Sequence, residues 1–451
     1  MLIVMSDLHF AESNSYALDG LKFNHNLPPE VYTSFFNEIS EYIRDADIAS
    51  IDLVLAGDIF EITRSPLWHE GALRPYLHND EIVPGSHAEQ ELLRVIEAIN
   101  GDYRVEETLS IFRRLGTYFQ KPVRIHYVPG NHDRLANASM AVRKRIQELL
   151  GLESDGKLFE NQCLHDNDGE PLVLVRHGHE YDKSNFSADL STMAEVPTFI
   201  DKRYYDKPVL GDIVTIEIAS KLPILFREFY GVSKIIAKEE LLVSYKRLID
   251  FDNVRPADAL INFLFTTPGM NKREVWKIIE PVMLNLFDDL AVSPDIGPSL
   301  INFGQFTGAK AFGLRSVLST RIWRHGLPFW VMKAMLNPIF KKSKINTNLD
   351  LIVREECLKA ENSVKCIVSG HTHNAMVELL KVDQGVEKYY INSGTFRNVI
   401  TSTPTMGDFG RLRSKARVLI FTRGEENPEY TRQTGWSFDF INRFGFGSTW
   451  D

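Results

Sequence analysis

The sequence is poor in cysteine and has no long apolar run. Its three cysteines, Cys163, Cys357 and Cys366, are isolated and form neither a paired disulfide pattern nor a CxxC metal site. A reducing compartment fits this usage, and we expect a cytoplasmic protein. The apolar start at residues 1–5 passes directly into polar residues without a signal-peptide pattern. We also expect no transmembrane segment, because no apolar run has the length of a membrane span; peripheral membrane contact stays open.

The sequence also lacks a strong excess of positive or negative charge for its length. The formal net charge of −9 is spread over 451 residues, which argues against a wholly basic nucleic-acid binder. A hydrophobic content of 44% and a charged content of 25% are typical of a soluble globular protein. The length predicts either two folded bodies or one core with a large insertion. None of these quantities predicts the oligomeric state.

Several short apolar runs rich in β-branched residues predict buried strands, and each ends at a polar cluster. The runs and their clusters are Leu2–Met5 before SDLH, Ile51–Ala56 before GDIF, Val123–Val128 before PGNHD, 172–175 before RHGHEYD, Cys366–Ser369 before GHTH, and 389–391 before NSGTFR. Open α/β sheets bind ligands outside the carboxyl ends of their strands. We therefore expect the clusters to share one pocket. Helical patterns at 29–43 and 88–99 complete the α/β class.

Residues 183–350 do not show the pattern of apolar runs that end at polar clusters. They show helical periodicity interrupted by proline and glycine. We predict a core formed by residues 1–182 and 351–451, with residues 183–350 as an inserted helical cap or lid. No acidic residue occurs between Asp295 and Asp350, and the cations of this basic region are Lys310, Arg315, Arg321, Arg324, Lys333, Lys341, Lys342 and Lys344. The aromatic and cationic segment 321–340 predicts either a surface facing substrate or membrane, or a buried helix with a basic rim.

The polar clusters combine carboxylates, imidazoles and an amide, which suit borderline divalent ions. Asp7-x-His9 and His371-x-His373 each place two alternate residues at a strand end. Since alternate strand residues face one side, we expect each pair to point at one ion. Three glycines precede candidate ligands and, because they have no side chain, allow the backbone to approach the site closely: Gly57, Gly130 and Gly370. We expect two divalent ions, with Mn²⁺ first and Fe²⁺ or Zn²⁺ as alternatives.

The motifs DxH, GDx, GNHD, HG and GHxH occur in an order that resembles the calcineurin-like metallophosphoesterase superfamily. The resemblance covers about residues 1–182 and 350–400 and implies a four-layer αββα metallophosphoesterase sandwich. The ligand set that it implies is Asp7, His9 and His373 for one ion, Asn131, His177 and His371 for the other, and Asp58 as the bridge. Spacing alone leaves His179 open as an alternative to His177, and the HG pairing favours His177.

The GNHD motif also supplies a candidate catalytic residue. His132 resembles the family residue that gives a proton or a positive charge to the leaving group, and a water shared by the two ions is the expected nucleophile. Asp133 is expected either to orient the His132 imidazole or to cap a loop. Candidate phosphate-binding residues are Arg64, Arg176 and Arg397, although structural roles are more common for such arginines.

The GDIFE motif and the position of the insertion resemble UDP-2,3-diacylglucosamine pyrophosphatases in part. HGHEYD replaces their HGD-x-x-C pattern, and the insertion here is much longer. We expect hydrolysis of a phosphodiester or pyrophosphate bond in a small nucleotide-containing or lipid-linked substrate. One alternative is a DNA or RNA nuclease that binds nucleic acid through the basic insertion, and another is a phosphomonoesterase or protein phosphatase. The complete ligand set disfavours a binding protein with an inactive site.

Overall fold

The structure is a computed structural model. It describes residues 1–77, 79, 82–167, 169–255, 259–292, 346–359, 363–405, 407–422, 424–425 and 435–446. The predicted basic region, including the segment 321–340, lies outside the described residues.

The described residues contain twelve strands. In chain order they are β1 (Leu2–Met5), β2 (Ile51–Ala56), β3 (Val123–Val128), β4 (Gln162–Asn167), β5 (Glu170–Arg176), β6 (Val254–Arg255), β7 (Cys366–Ser369), β8 (Met376–Asp383), β9 (Val386–Asn392), β10 (Asn398–Ser402), β11 (Phe409–Phe421) and β12 (Ser437–Phe446). The six predicted strands are all present. β1, β2, β3 and β7 have the predicted bounds, and β5 and β9 are longer at both ends.

Helices fill most of the connections between the strands. They are α1 (Pro29–Tyr42), α2 (His87–Asn100), α3 (Tyr103–Arg113), α4 (Leu115–Phe119), α5 (Met140–Leu150), α6 (Leu210–Val214), α7 (Lys221–Tyr230), α8 (Val232–Ala237), α9 (Glu239–Ile249), α10 (Leu260–Phe265), α11 (Lys272–Val292) and α12 (Asn346–Ile352), with a π-helical segment at Thr215–Ser220. α1 begins with a proline at its first position, and the Ser86 side chain caps α2. Both predicted helices are confirmed to within one residue.

The strands form two mixed sheets, which confirms the α/β class. The first has the order β3-β2-β1-β11-β10-β6, with β12 paired to β11, and β1, β2 and β3 are parallel. The second has the order β4-β5-β7-β9-β8, with β5, β7 and β9 parallel. Each sheet therefore has three adjacent parallel strands whose carboxyl ends lie at one edge.

Alternate side chains of β1 belong to two different apolar cores. Leu2 and Val4 share a buried cluster with Val368 of β7, so the two sheets pack face to face. Ile3 and Met5 belong to the cluster that contains the apolar sides of α1, α2, α3 and α5. Because both faces of the strand are buried, every residue of β1 is apolar.

A further apolar cluster joins the helices of the predicted insertion to the first sheet. Phe226 of α7 and Tyr245 of α9 are buried, with ring centroids 5.9 Å apart. Phe23 and Ile400 of β10 belong to the same cluster. β6, which also lies in this segment, pairs in parallel with β10. None of the helices in the described part of the chain combines the length and apolar character needed to span a membrane.

The variant Phe226→Ala is expected to lower the free energy of unfolding by about 3–5 kcal/mol, because it empties a fully buried aromatic site. The helical cluster includes residues of the first sheet, so urea unfolding should remain one transition in both fluorescence and circular dichroism. Phe229→Ala, on the same helix but 48% exposed, is the control and should change stability by less than about 0.5 kcal/mol. Equal losses in the two variants would contradict the packing described.

Candidate metal centre

Candidate ligands follow five of the parallel strands, at the edge where the carboxyl ends meet. They are Asp7 after β1, Asp58 after β2, Asn131 after β3, His177 after β5 and His371 after β7. His9 and His373 lie two residues farther along the first and last of these loops. The two face-to-face sheets thus bring residues from distant parts of the sequence to one place.

The first candidate ligand group consists of Asp7, His9 and His373, whose ligand atoms all lie within 4.8 Å of one another. Asp7 Oδ1 is 3.2 Å from His373 Nε2 and 3.6 Å from His9 Nε2. The Nε2 atoms of the two histidines are 2.9 Å apart. Two imidazole nitrogens that face each other beside a carboxylate form a donor set suited to one divalent cation.

The second group consists of Asp58, His177 and His371, again within 4.8 Å of one another. Asp58 Oδ2 is 3.1 Å from His177 Nε2 and 3.9 Å from His9 Nε2 in the first group. Asp58 therefore lies between the two groups, as a bridging carboxylate must. Asn131 Oδ1 is buried and accepts no hydrogen bond from the described residues, so this amide oxygen fits a metal ligand.

Five candidate ligands have a left-handed backbone, with φ between 49° and 66°: Asp7, His9, Asp58, His371 and His373. In the described chain only Gln120 and Gln384 share this property among residues other than glycine. Each such conformation costs about 1–3 kcal/mol and is typical of functional sites. The expectation that strand alternation points each pair at one ion is wrong. His371 and His373 belong to different groups, and Asp7 and His9 are brought together by these bends, because β1 ends at Met5.

Two glycines allow carboxylates of the centre to approach the backbone closely. A Cβ atom at Gly130 would overlap the Asp58 carboxylate and backbone nitrogen. A Cβ atom at Gly370 would overlap the Asp7 carboxylate. The prediction that these glycines allow close approach of the backbone to the site is confirmed.

Asp58 and His177 form a buried pair of opposite charge. Burial lowers the imidazole pKa, but the Asp58 carboxylate raises the pKa of His177 to about 10. Burial conversely raises the carboxyl pKa, and the histidines around it hold the pKa of Asp58 well below its usual range. The carboxylate is therefore ionised at neutral pH, and a bound dication can replace the imidazolium proton as its counter-charge.

A buried carboxylate that the sequence analysis did not assign, Glu61, holds two of the histidines. Its Oε2 lies 3.0 Å from His132 Nδ1, and its Oε1 lies 2.5 Å from His9 Nδ1. Glu61 thus fixes the ring of a candidate metal ligand and the ring of the candidate catalytic residue together. The available signal was its position three residues after Asp58, in the GDIFE motif.

The expectation that Asp133 orients His132 is wrong. Asp133 Oδ2 accepts hydrogen bonds from Ile59 N at 2.9 Å and from the Tyr127 hydroxyl at 2.6 Å, and Oδ1 accepts one from Gly130 N. These bonds turn the carboxylate into the loop that carries the GNHD motif. Burial raises the pKa of Asp133 to about 6, and the neighbouring Asp58 carboxylate adds to the shift. These contacts are those of a loop-capping residue, which was the alternative expectation for Asp133.

The expectation that Arg176 grips phosphate is also wrong. Arg176 lies on the same face of β5 as Leu174, whose cluster covers the outer side of the second sheet. Its Nη1 is 3.0 Å from Glu355 Oε1, and its Nη2 donates to Thr198 O at 2.8 Å. The arginine is fully buried in these structural contacts.

The other two candidate arginines lie beside Glu61. Arg397 Nη1 donates to Glu61 Oε1 at 3.0 Å, and Arg64 Nη1 lies 3.9 Å from the same oxygen. A third arginine, Arg255 of β6, interacts electrostatically with Glu61 and with Asp7. Sequence reasoning missed Arg255 because only the pairing of β6 with β10 brings it to this edge.

His179 lies behind the second ligand group and is not part of it. Its ring packs between Phe186 and Tyr205, with centroid distances of 5.5 and 5.7 Å. Burial lowers the pKa of His179 to about 4, so the ring is neutral at physiological pH. Asp182, three residues farther on, places Oδ2 3.3 Å from His371 Nε2. These residues support the ring positions of the centre.

Comparison with protein-family models yields no match for this chain, and a search of curated proteins yields no relative. The geometry of the centre and the order of the motifs therefore carry the functional assignment.

The variant His373→Ala is expected to reduce the number of Mn²⁺ ions bound by metal-stripped protein from two to one, because the first group loses one of its three ligands. Isothermal titration calorimetry measures this stoichiometry. The control is His126→Ala, a histidine of β3 that is 39% exposed and pairs with Asp52. Retention of both ions at unchanged affinity in His373→Ala would overturn the ligand assignment.

The variant Glu61→Gln is expected to weaken Mn²⁺ binding about 10–100-fold, because an uncharged amide holds the His9 ring less firmly in its ligating orientation. The same titration applies, with circular dichroism to establish that the fold is retained. Glu38→Gln is the matched control, since Glu38 pairs with Lys415 and Arg443 on the surface. If both variants bind Mn²⁺ as the unmodified protein does, Glu61 has no orienting role.

Proposed function

We propose that this chain is a dinuclear-metal-dependent phosphoesterase of the calcineurin-like metallophosphoesterase superfamily. The observation that carries the proposal is the convergence of two three-residue ligand groups on Asp58, with His132 beside them. The two packed sheets, each with three parallel strands ending at this edge, support a four-layer αββα sandwich.

The donor set fits two divalent ions. The residues that would hold them are Asp7, His9 and His373 for one ion, Asn131, His177 and His371 for the other, and Asp58 for both. Two bound ions would neutralise charge on phosphoryl oxygens and supply a water of lowered pKa as the nucleophile. Nitrogen and oxygen donors without thiolate favour Mn²⁺, with Fe²⁺ and Zn²⁺ as alternatives.

We assign proton donation to His132. Its Nδ1 faces Glu61, so Nε2 is the nitrogen left to meet substrate. The Glu61 carboxylate orients the ring through Nδ1, so proton donation is assigned to Nε2. In the proposed step, water gives up one proton to solvent and adds to phosphorus, the phosphorus–oxygen bond to the leaving group breaks, and the Nε2 proton passes to the leaving oxygen. A proton from solvent then restores Nε2.

The proposed reaction is hydrolysis of a phosphodiester or pyrophosphate bond in a small nucleotide-containing or lipid-linked substrate. The arginines beside the centre, Arg64, Arg255 and Arg397, favour a compact substrate with concentrated negative charge. A nuclease function would depend on the basic region, which the described residues do not include.

The variants Asp58→Ala and His132→Ala are expected to lower Mn²⁺-dependent hydrolysis of bis-(p-nitrophenyl) phosphate by at least about 100-fold, because one removes the bridging carboxylate and the other the proton donor. Release of p-nitrophenol measures the rate. His126→Ala should retain the unmodified rate, and circular dichroism establishes that each variant is folded. Unchanged turnover in both site variants would rule out the proposed site.

A further inference from the structure

The strand β12 forms one edge of the first sheet. All ten of its residues pair antiparallel with β11, from Ser437 to Phe446, without a shift in register. None of the described strands pairs with its other side. An edge strand presents a row of backbone N–H and C=O groups that can bond to a strand of another chain. β12 is therefore a candidate interaction surface.

The other described strands at sheet edges are shorter or irregular. β6 has two residues and β3 has six. β4 and β8 each have a shift in register against the neighbouring strand. Short strands and bulges protect sheet edges from pairing with other chains. Among these described edges, β12 combines the greatest length with a regular register.

The face of β12 that points toward the second sheet is aromatic. Phe438 and Phe440 pair with Ile420 and Val418 of β11, and all four side chains pack in the cluster between the two sheets. Phe444 points to the same side by strand alternation. However, Phe444 is 61% exposed. The apolar face of β12 thus continues from the core to the surface of the protein.

The opposite face of β12 carries two charges of opposite sign, four residues apart. Asp439 Oδ2 lies 2.6 Å from Arg417 Nη2, and Arg443 Nη1 donates to Glu38 Oε2 at 2.6 Å. The side chain of Arg443 is 52% exposed, and that of Asp439 is 23% exposed. Both charges are therefore accessible to a further strand at this edge.

These charges make β12 complementary to a second copy of itself. If two copies pair antiparallel about a two-fold axis at Ile441, Asp439 of each copy lies opposite Arg443 of the other. The same register places Phe438 of each copy opposite Phe444 of the other. Directly opposite side chains share one face of a sheet, as strand alternation requires for both pairs. One register thus matches opposite charges on one face and aromatic rings on the other.

We propose that this chain forms a homodimer in which the β12 strands of two copies pair antiparallel about Ile441. The first sheets of the two copies then form one continuous sheet. Backbone hydrogen bonds between the strands supply affinity, and the two symmetry-related pairs of Asp439 and Arg443 fix the register. Each Phe444 ring is covered by Phe438 of the other copy. This interface contains no residue of the candidate metal centre, so it is independent of the proposed function.

Disulfide cross-linking tests the position of the two-fold axis. Ile441→Cys places the two thiols directly opposite each other, with Cα atoms about 4.5–5.5 Å apart, which is within the range of a disulfide. Mild oxidation should therefore convert most of this variant into a covalent dimer on a non-reducing gel. Tyr103→Cys, 68% exposed on α3, measures cross-linking by random collision, and the unmodified protein measures the background from its three cysteines. Cross-linking of Ile441→Cys no greater than that of Tyr103→Cys would overturn the assignment.

Sedimentation velocity tests the charge pairs. The unmodified protein should sediment as a dimer at tens of micromolar. Arg443→Asp places like charges opposite each other at two positions and should raise the dissociation constant at least about tenfold. The matched control is Arg124→Asp, because Arg124 is 72% exposed, pairs with Asp52 and lies on β3 at another edge of the same sheet. This control should leave the dissociation constant unchanged.

A mixture of two variants separates loss of the interface from a folding defect. Asp439→Arg also places like charges opposite each other, so it should dissociate as Arg443→Asp does. An equimolar mixture of the two variants restores both pairs of opposite charges and should form dimers more tightly than either variant alone. A monomeric unmodified protein, an unchanged dissociation constant in Arg443→Asp, or a mixture that associates no better than its components would each count against the β12 interface.

Discussion

The carboxylates of Asp7 and Asp58 are buried at the edge where two sheets meet, and an ionised carboxylate at such a position must be compensated. Imidazole nitrogens of His373 and His177 lie 3.2 and 3.1 Å away, and His132 N donates to Asp58 at 2.8 Å. Much of the surrounding structure serves to hold these two charges. The left-handed loops turn ligands toward them, and the nearby glycines leave them space.

Rigid strands stabilise the strained loop conformations of the candidate centre. Four of the parallel strands that precede candidate ligands are buried on both faces in their central parts, so their ends have little freedom to move; they are β1, β2, β5 and β7. Strained loop conformations persist only where the surrounding structure determines them. Glu61 extends the same rigidity from His9 to His132, so that one carboxylate aligns a candidate metal ligand and the proposed proton donor.

The sequence predicts the strands and most of the candidate ligands that meet at the centre, because both depend on local pattern. β1 and β7 are short apolar runs, and the polar residues that follow them necessarily lie at strand ends. Local pattern does not predict the carboxylate that pairs with His132, because the conformation of the loop decides which carboxylate reaches the ring. The orientation of Arg176 depends on which face of β5 is the outer one. The position of Arg255 depends on a strand pairing with β10, far away in sequence, that local pattern does not encode.

The pairing of β6 with β10 also limits how this protein can be rearranged. A recombinant exchange of residues 183–350 for a shorter segment would remove a backbone partner of Ile400 and Thr401. The exposed strand edge would then be open to pairing with other chains and to aggregation. A chimera that preserves Val254–Arg255 and its register avoids this liability. The described part of the segment therefore belongs to the scaffold that supports the candidate centre, and it cannot be exchanged independently of folding.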